Sequence, residues 1–230
     1  MNDIYYLQYL LYIAAFAVIM IANARMQSAY HRYRKIDTEK GYTGAQTARM
    51  ILDANGLQNV TVQLSNGGSL SDHYNPMDHT VNLSADIFYK TSIASVSVAA
   101  HEVGHAIQHK EGYGAIELRN RILPLANIAS QLGWVVLFLG LIFSIRPLLM
   151  LGIAALCIVA VFQIITLPIE FNASKRALMQ LESLAIVDEA EQADAQSMLK
   201  AAALTYVAAL INTVFQILRM LLISGRRNND

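Results

Sequence analysis

Four long apolar runs constrain the fold of this chain more than any other feature of its sequence. They cover residues 4–24, 122–145, 147–169 and 201–224, and Arg219 is the one charged residue within them. Each run is long enough for a membrane span, since a helix needs about 20 residues to cross the hydrocarbon core. Only 15% of the chain is charged, and the remaining residues are too few to wrap four buried helices. We therefore predict four transmembrane helices at these positions.

The net charge limits the kinds of binding partner that we expect, and the cysteine content limits the kinds of metal site. Seventeen Lys and Arg residues balance seventeen Asp and Glu residues, so the chain has no formal net charge. It therefore lacks the excess of positive charge that is typical of proteins that bind nucleic acids. The expected partners are the lipid bilayer and a peptide or membrane-protein substrate. A single cysteine excludes an intrachain disulfide and a multi-cysteine zinc cluster. Any metal site must then be built from His, Asp and Glu.

The distribution of basic residues predicts the topology. Thirteen Lys and Arg residues lie in the segments 25–121 and 170–200, whereas Arg146, Arg226 and Arg227 lie on the opposite side. The positive-inside rule then places both segments in the cytoplasm and the N-terminus outside. Arg219 lies near one end of the fourth run, and we expect its guanidinium to extend toward the membrane surface.

Residues 25–121 contain the capping and turn residues that are typical of a small α+β domain. Thr43 and Gln46 fit a capping box for a helix that ends near Gly56. Alternating or β-branched stretches separated by turn residues predict strands at 60–64, 70–74 and 80–83. Ser92 can cap a longer helix that continues to about Glu111. We expect strand 70–74 or strand 80–83 to offer an edge to which an extended substrate pairs.

The longer helix carries a His-Glu-x-x-His motif at His101, Glu102 and His105. Two histidines four residues apart lie on one helix face, so both imidazoles can bind one Zn²⁺, with Glu102 beside the metal-bound water. His109 lies about 12 Å along the axis from His101, too far for the same ion. The motif predicts metal-assisted hydrolysis with a third ligand from elsewhere in the chain.

Glu170 is the candidate for that third ligand, because it directly follows the third apolar run. Pro168 is suited to a helix start, which would place Glu170 in the first turn of a new helix. A glutamate there is also favoured by the helix dipole alone. From the residues, both interpretations stay open.

Four stretches of this chain resemble the YugP-type membrane-bound neutral zinc metallopeptidases of prokaryotes. They are DHYNP at 72–76, HEVGHAIQH at 101–109, LPIEFNAS at 167–174 and KAAALTYVA at 200–208. A more distant similarity connects the chain to the HtpX and CAAX-prenyl endopeptidases, and it implies Glu170 as the third ligand of one Zn²⁺ per chain. Those relatives commonly carry an aspartate where this chain has Ser174, so a role of that aspartate in orienting a ligand histidine does not carry over.

Together these features predict a mainly α membrane protein with four transmembrane helices and a small α+β, zincin-like cytoplasmic domain over 25–121. The segment 170–200 would contribute the third zinc ligand, and the resemblance implies the prokaryotic cell (inner) membrane. We expect a zinc-dependent endopeptidase for membrane or membrane-proximal proteins, with Glu102 as the acid and base. The candidate oxyanion partners are Tyr206, His73 and Tyr74, with Asn172 weaker.

Two other classes of function stay open from the sequence. The first is a non-catalytic, zinc-stabilised membrane adaptor, which has no need for an acid or base at Glu102. The second is a transporter or channel, which the scarcity of ionisable residues in the apolar runs disfavours.

Overall fold

The structure is a computed structural model that describes residues 2–226, with side chains from Tyr5 to Gly225. Seven helices and three strands lie within this range. They are α1 (Asn2–Tyr33), α2 (Gly44–Ala54), β1 (Thr61–Leu64), β2 (His73–Asn75), β3 (Thr80–Leu83), α3 (Ala85–Tyr89), α4 (Ile93–Lys110), α5 (Gly114–Ile142), α6 (Arg146–Ser183) and α7 (Glu189–Arg226). Arg227, counted in the topology prediction, lies outside the described residues, as does the side chain of Arg226.

The chain forms two compact units. The helical unit consists of Met1–Ala24, Glu117–Leu167 and Leu204–Asp230, and the α+β unit consists of Arg25–Ile116 and Pro168–Ala203. The boundary between the units falls within α1, α5, α6 and α7, so each of these long helices contributes to both.

Four of the described helices, α1, α5, α6 and α7, are long and apolar enough to cross a membrane. This agrees with the four predicted runs, but each helix extends past its run. The expected helix start at Pro168 is wrong, because α6 continues through this residue to Ser183. A proline inside a helix removes one backbone hydrogen bond without ending the helix when packing holds the flanking turns.

The α+β unit contains a three-stranded sheet in the order β1-β3-β2. β1 pairs with β3 in parallel, and β2 pairs with β3 in antiparallel orientation, with Tyr74 opposite Val81. The predicted strand 80–83 is confirmed, but β3 is the central strand and has no free edge. The predicted strand 70–74 is shifted, since Leu70 has a φ of 64°, a left-handed conformation that does not extend a strand.

The predicted helix starts at Thr43 and Ser92 are confirmed. The Thr43 hydroxyl accepts a hydrogen bond from the Gln46 amide at 3.1 Å, and the Gln46 side chain accepts one from the Thr43 amide at 2.9 Å. The Ser92 hydroxyl accepts from the Ser95 amide at 3.2 Å. These bonds satisfy amides at the helix N-termini that lack intrahelical partners.

Helix α4 forms the centre of the α+β core. Its apolar residues Val96, Ala99 and Val103 have no exposed surface. The same cluster includes side chains from α2, from the sheet and from the segment after Pro168: Ile51, Leu52, Val81, Leu83, Leu181, Ile186 and Met198. The His-Glu-x-x-His motif is therefore held on a helix that is packed into the core of this unit.

Candidate metal centre

The two motif histidines lie side by side on α4. Their ring centroids are 4.9 Å apart, and the ring planes cross at 84°. This arrangement follows from the helix period, which places residues i and i+4 on one face about one turn apart. Their side chains keep 15% (His101) and 14% (His105) of their surface exposed, so a small molecule can reach the pair.

Glu170 on α6 brings a carboxylate to both histidines. Its Oε2 lies 3.3 Å from Nε2 of His101 and 3.7 Å from Nε2 of His105. The ligand atoms of all three residues lie within 4.8 Å of one another. Ligand atoms around a tetrahedral zinc ion with bonds of about 2.1 Å lie roughly 3.4 Å apart. The three side chains therefore fit a single ion.

The position of Glu170 within α6 excludes the helix-dipole explanation, one of the two interpretations that the sequence left open. The residue lies well inside a helix that runs from Arg146 to Ser183, where no unpaired N-terminal amides are available. The helix dipole acts within the first turn, so this alternative is wrong. Glu170 is only 5% exposed, and a buried carboxylate needs a cation or strong donors as neighbours.

Close contact between two helix backbones brings Glu170 to the motif. A Cβ added at Gly104 would lie 2.6 Å from the Ala173 carbonyl oxygen, well inside van der Waals contact. Gly104 is the third residue after His101, and Ala173 is the third after Glu170. The absent side chain of Gly104 thus lets α4 and α6 approach until the histidines and the carboxylate meet.

A chain of hydrogen bonds orients His105. Arg176 donates from Nε to Asn172 Oδ1 at 2.7 Å, and Gln108 Nε2 donates to the same oxygen at 2.9 Å. Because the guanidinium is only a donor, the Asn172 atom that faces it is an oxygen. Gln108 Nε2 also donates to the Ile169 carbonyl at 2.9 Å. The side-chain amides of Asn172 and Gln108 therefore each have a single orientation.

The oriented amide of Gln108 sets the tautomer of His105. Gln108 Oε1 lies 3.0 Å from Nδ1 of His105, so this nitrogen carries the proton and donates it. In the neutral ring the lone pair then lies on Nε2, the nitrogen that faces Glu170. Gln108 has no exposed surface, which makes it a fixed support for the histidine.

Ser174 supports the other histidine. Its hydroxyl oxygen lies 3.2 Å from Nδ1 of His101, and Nε2 of the same ring faces Glu170. The hydroxyl accepts the Nδ1 proton in the tautomer that leaves Nε2 free for a metal. A neutral serine thus contacts a candidate ligand histidine at the position where the resemblance led us to expect an aspartate.

Glu102 lies on the same helix, is 8% exposed and faces strand β2. Its Oε2 accepts a hydrogen bond from the Tyr74 amide at 3.0 Å. The Tyr74 hydroxyl oxygen lies 2.9 Å from Nδ1 of His109, at hydrogen-bond distance, and burial raises the pKa of this hydroxyl. Tyr74 therefore fixes Glu102 through its backbone and contacts the end of α4 through its side chain.

Negative charge concentrates around these residues. Burial raises the pKa of the Asp72 carboxyl, the bonds from Ser84 lower it in part, and the charge of Glu102 raises it. Burial by itself would lower the pKa of His105, but the Glu170 and Glu102 carboxylates outweigh this effect and raise it overall. The centre attracts positive charge, as a metal site does.

Comparisons with known proteins agree with this geometry. A family profile described as "Putative neutral zinc metallopeptidase" matches residues 8–225. The chain belongs to this family. A Bacillus subtilis (strain 168) protein named "Putative membrane protease YugP" is 42% identical over 219 residues, which are 94% of this chain and 97% of that protein. No solved structure gives a significant match to the chain. The resemblance inferred from the sequence is confirmed.

The remaining site residues expected from the sequence lie in different surroundings. His73 is exposed on β2, with Nδ1 2.9 Å from the Ser71 carbonyl oxygen. Tyr206 lies on α7 in the helical unit and is 40% exposed. Their roles stay predictions. Asn172, a weaker candidate for the oxyanion, accepts a hydrogen bond from Gln108 through Oδ1, and its oxyanion role also stays a prediction.

Gln108 is the supporting residue that the sequence analysis missed. It lies three residues after His105, the spacing at which helix side chains are neighbours. The sequence did contain a signal for this role: Gln108 is a polar residue next to apolar residues of the helix and one turn from a candidate ligand histidine.

Proposed function

We propose that the chain is a membrane-embedded zinc endopeptidase that hydrolyses peptide bonds of membrane or membrane-proximal proteins. The observation that carries this proposal is the convergence of His101, His105 and Glu170 within 4.8 Å, with Glu102 beside them. These three residues would hold one Zn²⁺. When bound, such an ion makes a water acidic and polarises a carbonyl group.

Glu102 is assigned the proton transfers. The Tyr74 amide holds its Oε2 at 3.0 Å, so we assign Oε1 to take a proton from the attacking water. The same oxygen then delivers this proton to the leaving amine. Because the peptide amide holds the carboxylate in place, no rotation is needed between the two transfers. Tyr206 and His73 remain our candidates for stabilising the oxyanion.

Strand β2 is the proposed edge for the substrate. The Tyr74 amide bonds Glu102 and not β3, so the Tyr74 carbonyl also points away from the sheet. An extended peptide that pairs with this carbonyl would lie directly beside Glu102. β3 cannot serve this role, because β1 and β2 occupy its two sides.

The placement of Glu170 supports the substrate class. The residue directly follows the apolar run 147–169 on α6, so the metal ligands belong near the membrane surface. The count of basic residues favours the cytoplasmic side of the prokaryotic cell (inner) membrane, with the α+β unit as a zincin-like catalytic domain. We propose this orientation with the function.

The proposal is tested by Glu102→Gln in the full chain, with Glu182→Gln, an exposed position on α6, as the matched control. Detergent-solubilised membrane proteins would be incubated with each purified variant, and new peptide N-termini counted by mass spectrometry. We expect wild type and control to produce new termini, and Glu102→Gln to lose at least 100-fold in rate while keeping its zinc. Equal cleavage by Glu102→Gln refutes the mechanism, and zinc-loaded wild type without any cleavage favours the adaptor.

A further inference from the structure

A cavity of about 280 Å³ lies in the helical unit, between α1 and α7. It is lined by Tyr5, Gln8, Tyr9 and Tyr12 of α1 and by Arg219 of α7. The α1 residues follow the spacing i, i+3, i+4 and i+7, so they form one face of the helix. The cavity is thus a polar notch between the mainly apolar segments that α1 and α7 contribute to the helical unit.

Arg219 lines this cavity, and none of the side chains described between residues 5 and 225 supplies it with a counter-charge. Its Cζ lies 5.1 Å from the centroid of the Tyr12 ring, and its Nη1 donates to Gln216 Oε1 at 3.5 Å. Among the described side chains, residues 5–225, no carboxylate lies within 4.0 Å of its guanidinium. Arginine stays protonated in proteins, so its charge is permanent.

The position of Arg219 makes an unpaired charge costly. It lies six residues before Gly225 on α7, about 9 Å along the helix axis, and apolar residues surround it in sequence. A charge inside a membrane span is paired or reaches the headgroup region. The anion available along the whole lipid surface is the phosphate of a phospholipid.

We propose that this cavity binds the phosphate of an anionic phospholipid. The Arg219 guanidinium supplies a forked donor that matches two phosphate oxygens, and the hydroxyls of Tyr9 and Tyr12 add neutral donors. Tyr9 and Tyr12 are 66% and 51% exposed, so a lipid can reach them from the side. Tyrosine is also the side chain that prefers the membrane interface.

The face of α1 that lines the cavity continues with exposed apolar side chains, which can contact an acyl chain of the lipid. Ile13 and Phe16, 62% and 61% exposed, follow Tyr9 at i+4 and i+7 and extend the same face deeper along the helix. A lipid with its phosphate at Arg219 would lay an acyl chain along these apolar side chains. The inference rests on the proposed membrane placement but not on the peptidase activity.

The experiment is native mass spectrometry of the purified full chain, titrated with phosphatidylglycerol or with phosphatidylcholine of the same acyl chains. Arg219→Gln removes the charge, Arg219→Lys keeps it, and Gln8→Glu adds a carboxylate inside the cavity. Arg146→Gln, at the start of α6, is the matched control. Monodispersity and thermal stability are recorded for each variant. In a separate arm, inorganic phosphate is added at roughly 10-fold excess over the lipid.

We expect wild type to retain one phosphatidylglycerol about fivefold more tightly than phosphatidylcholine, the ratio that one interfacial cation gives. Arg219→Gln and Gln8→Glu should lose this preference, while Arg219→Lys and Arg146→Gln keep it. Two results would overturn the proposal: an unchanged preference in Gln8→Glu and Arg219→Gln, or displacement of the lipid by inorganic phosphate. Because the readout is lipid binding, failure of the peptidase proposal leaves it intact.

Discussion

Glu170 Oε2 lies 3.3 Å from Nε2 of His101, although 69 residues separate the two along the chain. The intervening chain includes all of α5 and the apolar part of α6, and the contact closes it into a loop. A metal bound at this point would hold α4 and α6 together. The candidate centre is therefore structural as well as chemical, and its supporting residues are the most direct points for testing.

Ser174→Ala should weaken zinc binding about tenfold, the lower end of the range for residues that orient a metal ligand. The hydroxyl lies 3.2 Å from Nδ1 of His101, and alanine leaves this proton without its acceptor. Competition titration with a zinc chelator measures the affinity. Ser174→Asp should bind zinc at least as tightly as wild type.

The control for this prediction is Ser183→Ala, at the exposed end of the same helix. Its zinc affinity should equal that of wild type. An unchanged affinity in Ser174→Ala would mean that packing alone orients His101.

Gln108→Leu should lower the free energy of unfolding by about 3 kcal/mol, because it leaves buried polar groups without hydrogen-bond partners. The substitution removes the bonds to the Ile169 carbonyl, Asn172 and His105 while keeping a similar volume. Denaturant unfolding in detergent, followed by tryptophan fluorescence or circular dichroism, gives the value. Gln58→Leu, on the exposed surface of the α+β unit, should change it by less than about 0.5 kcal/mol.

Loss of stability without loss of zinc affinity in Gln108→Leu would contradict the tautomer argument for His105. A loss of both supports the chain of bonds from Arg176 to the histidine.

Gly104→Ala should destabilise the fold and weaken zinc binding together. The new Cβ would lie 2.6 Å from the Ala173 carbonyl oxygen, and relief of this clash requires the two helix backbones to separate. Overpacking of this kind costs about 1–3 kcal/mol. Thermal unfolding and zinc content are measured on the same preparation.

Gly114→Ala is the matched control for this prediction, because a Cβ there meets nothing within 4 Å. The close approach of α4 and α6 would be wrong if Gly104→Ala had wild-type stability and zinc content.

Local features of the sequence predicted local structure well. The capping residues Thr43 and Ser92 start helices where expected, because their side-chain bonds involve neighbours three residues away. The period of α4 likewise predicted that His101 and His105 share one face. Each of these interactions lies within one or two turns of chain.

Interactions between distant segments could not be predicted in the same way. The central place of β3 depends on its pairing with both β1 and β2, which alternation within one strand does not encode. Pro168 looked like a helix start, yet the packing of α6 carries the helix through it. The support of His105 by Gln108 depends on Ile169 and Asn172, 61 and 64 residues away.

The central claim is that His101, His105 and Glu170 bind one zinc ion and that Glu102 is not a ligand. The most direct test is the zinc content per chain of wild type, Glu170→Ala and Glu102→Gln, by elemental mass spectrometry. We predict about one zinc per chain in wild type and Glu102→Gln, as three-ligand catalytic sites hold, and little in Glu170→Ala. Full zinc content in Glu170→Ala, or none in wild type, would contradict the account.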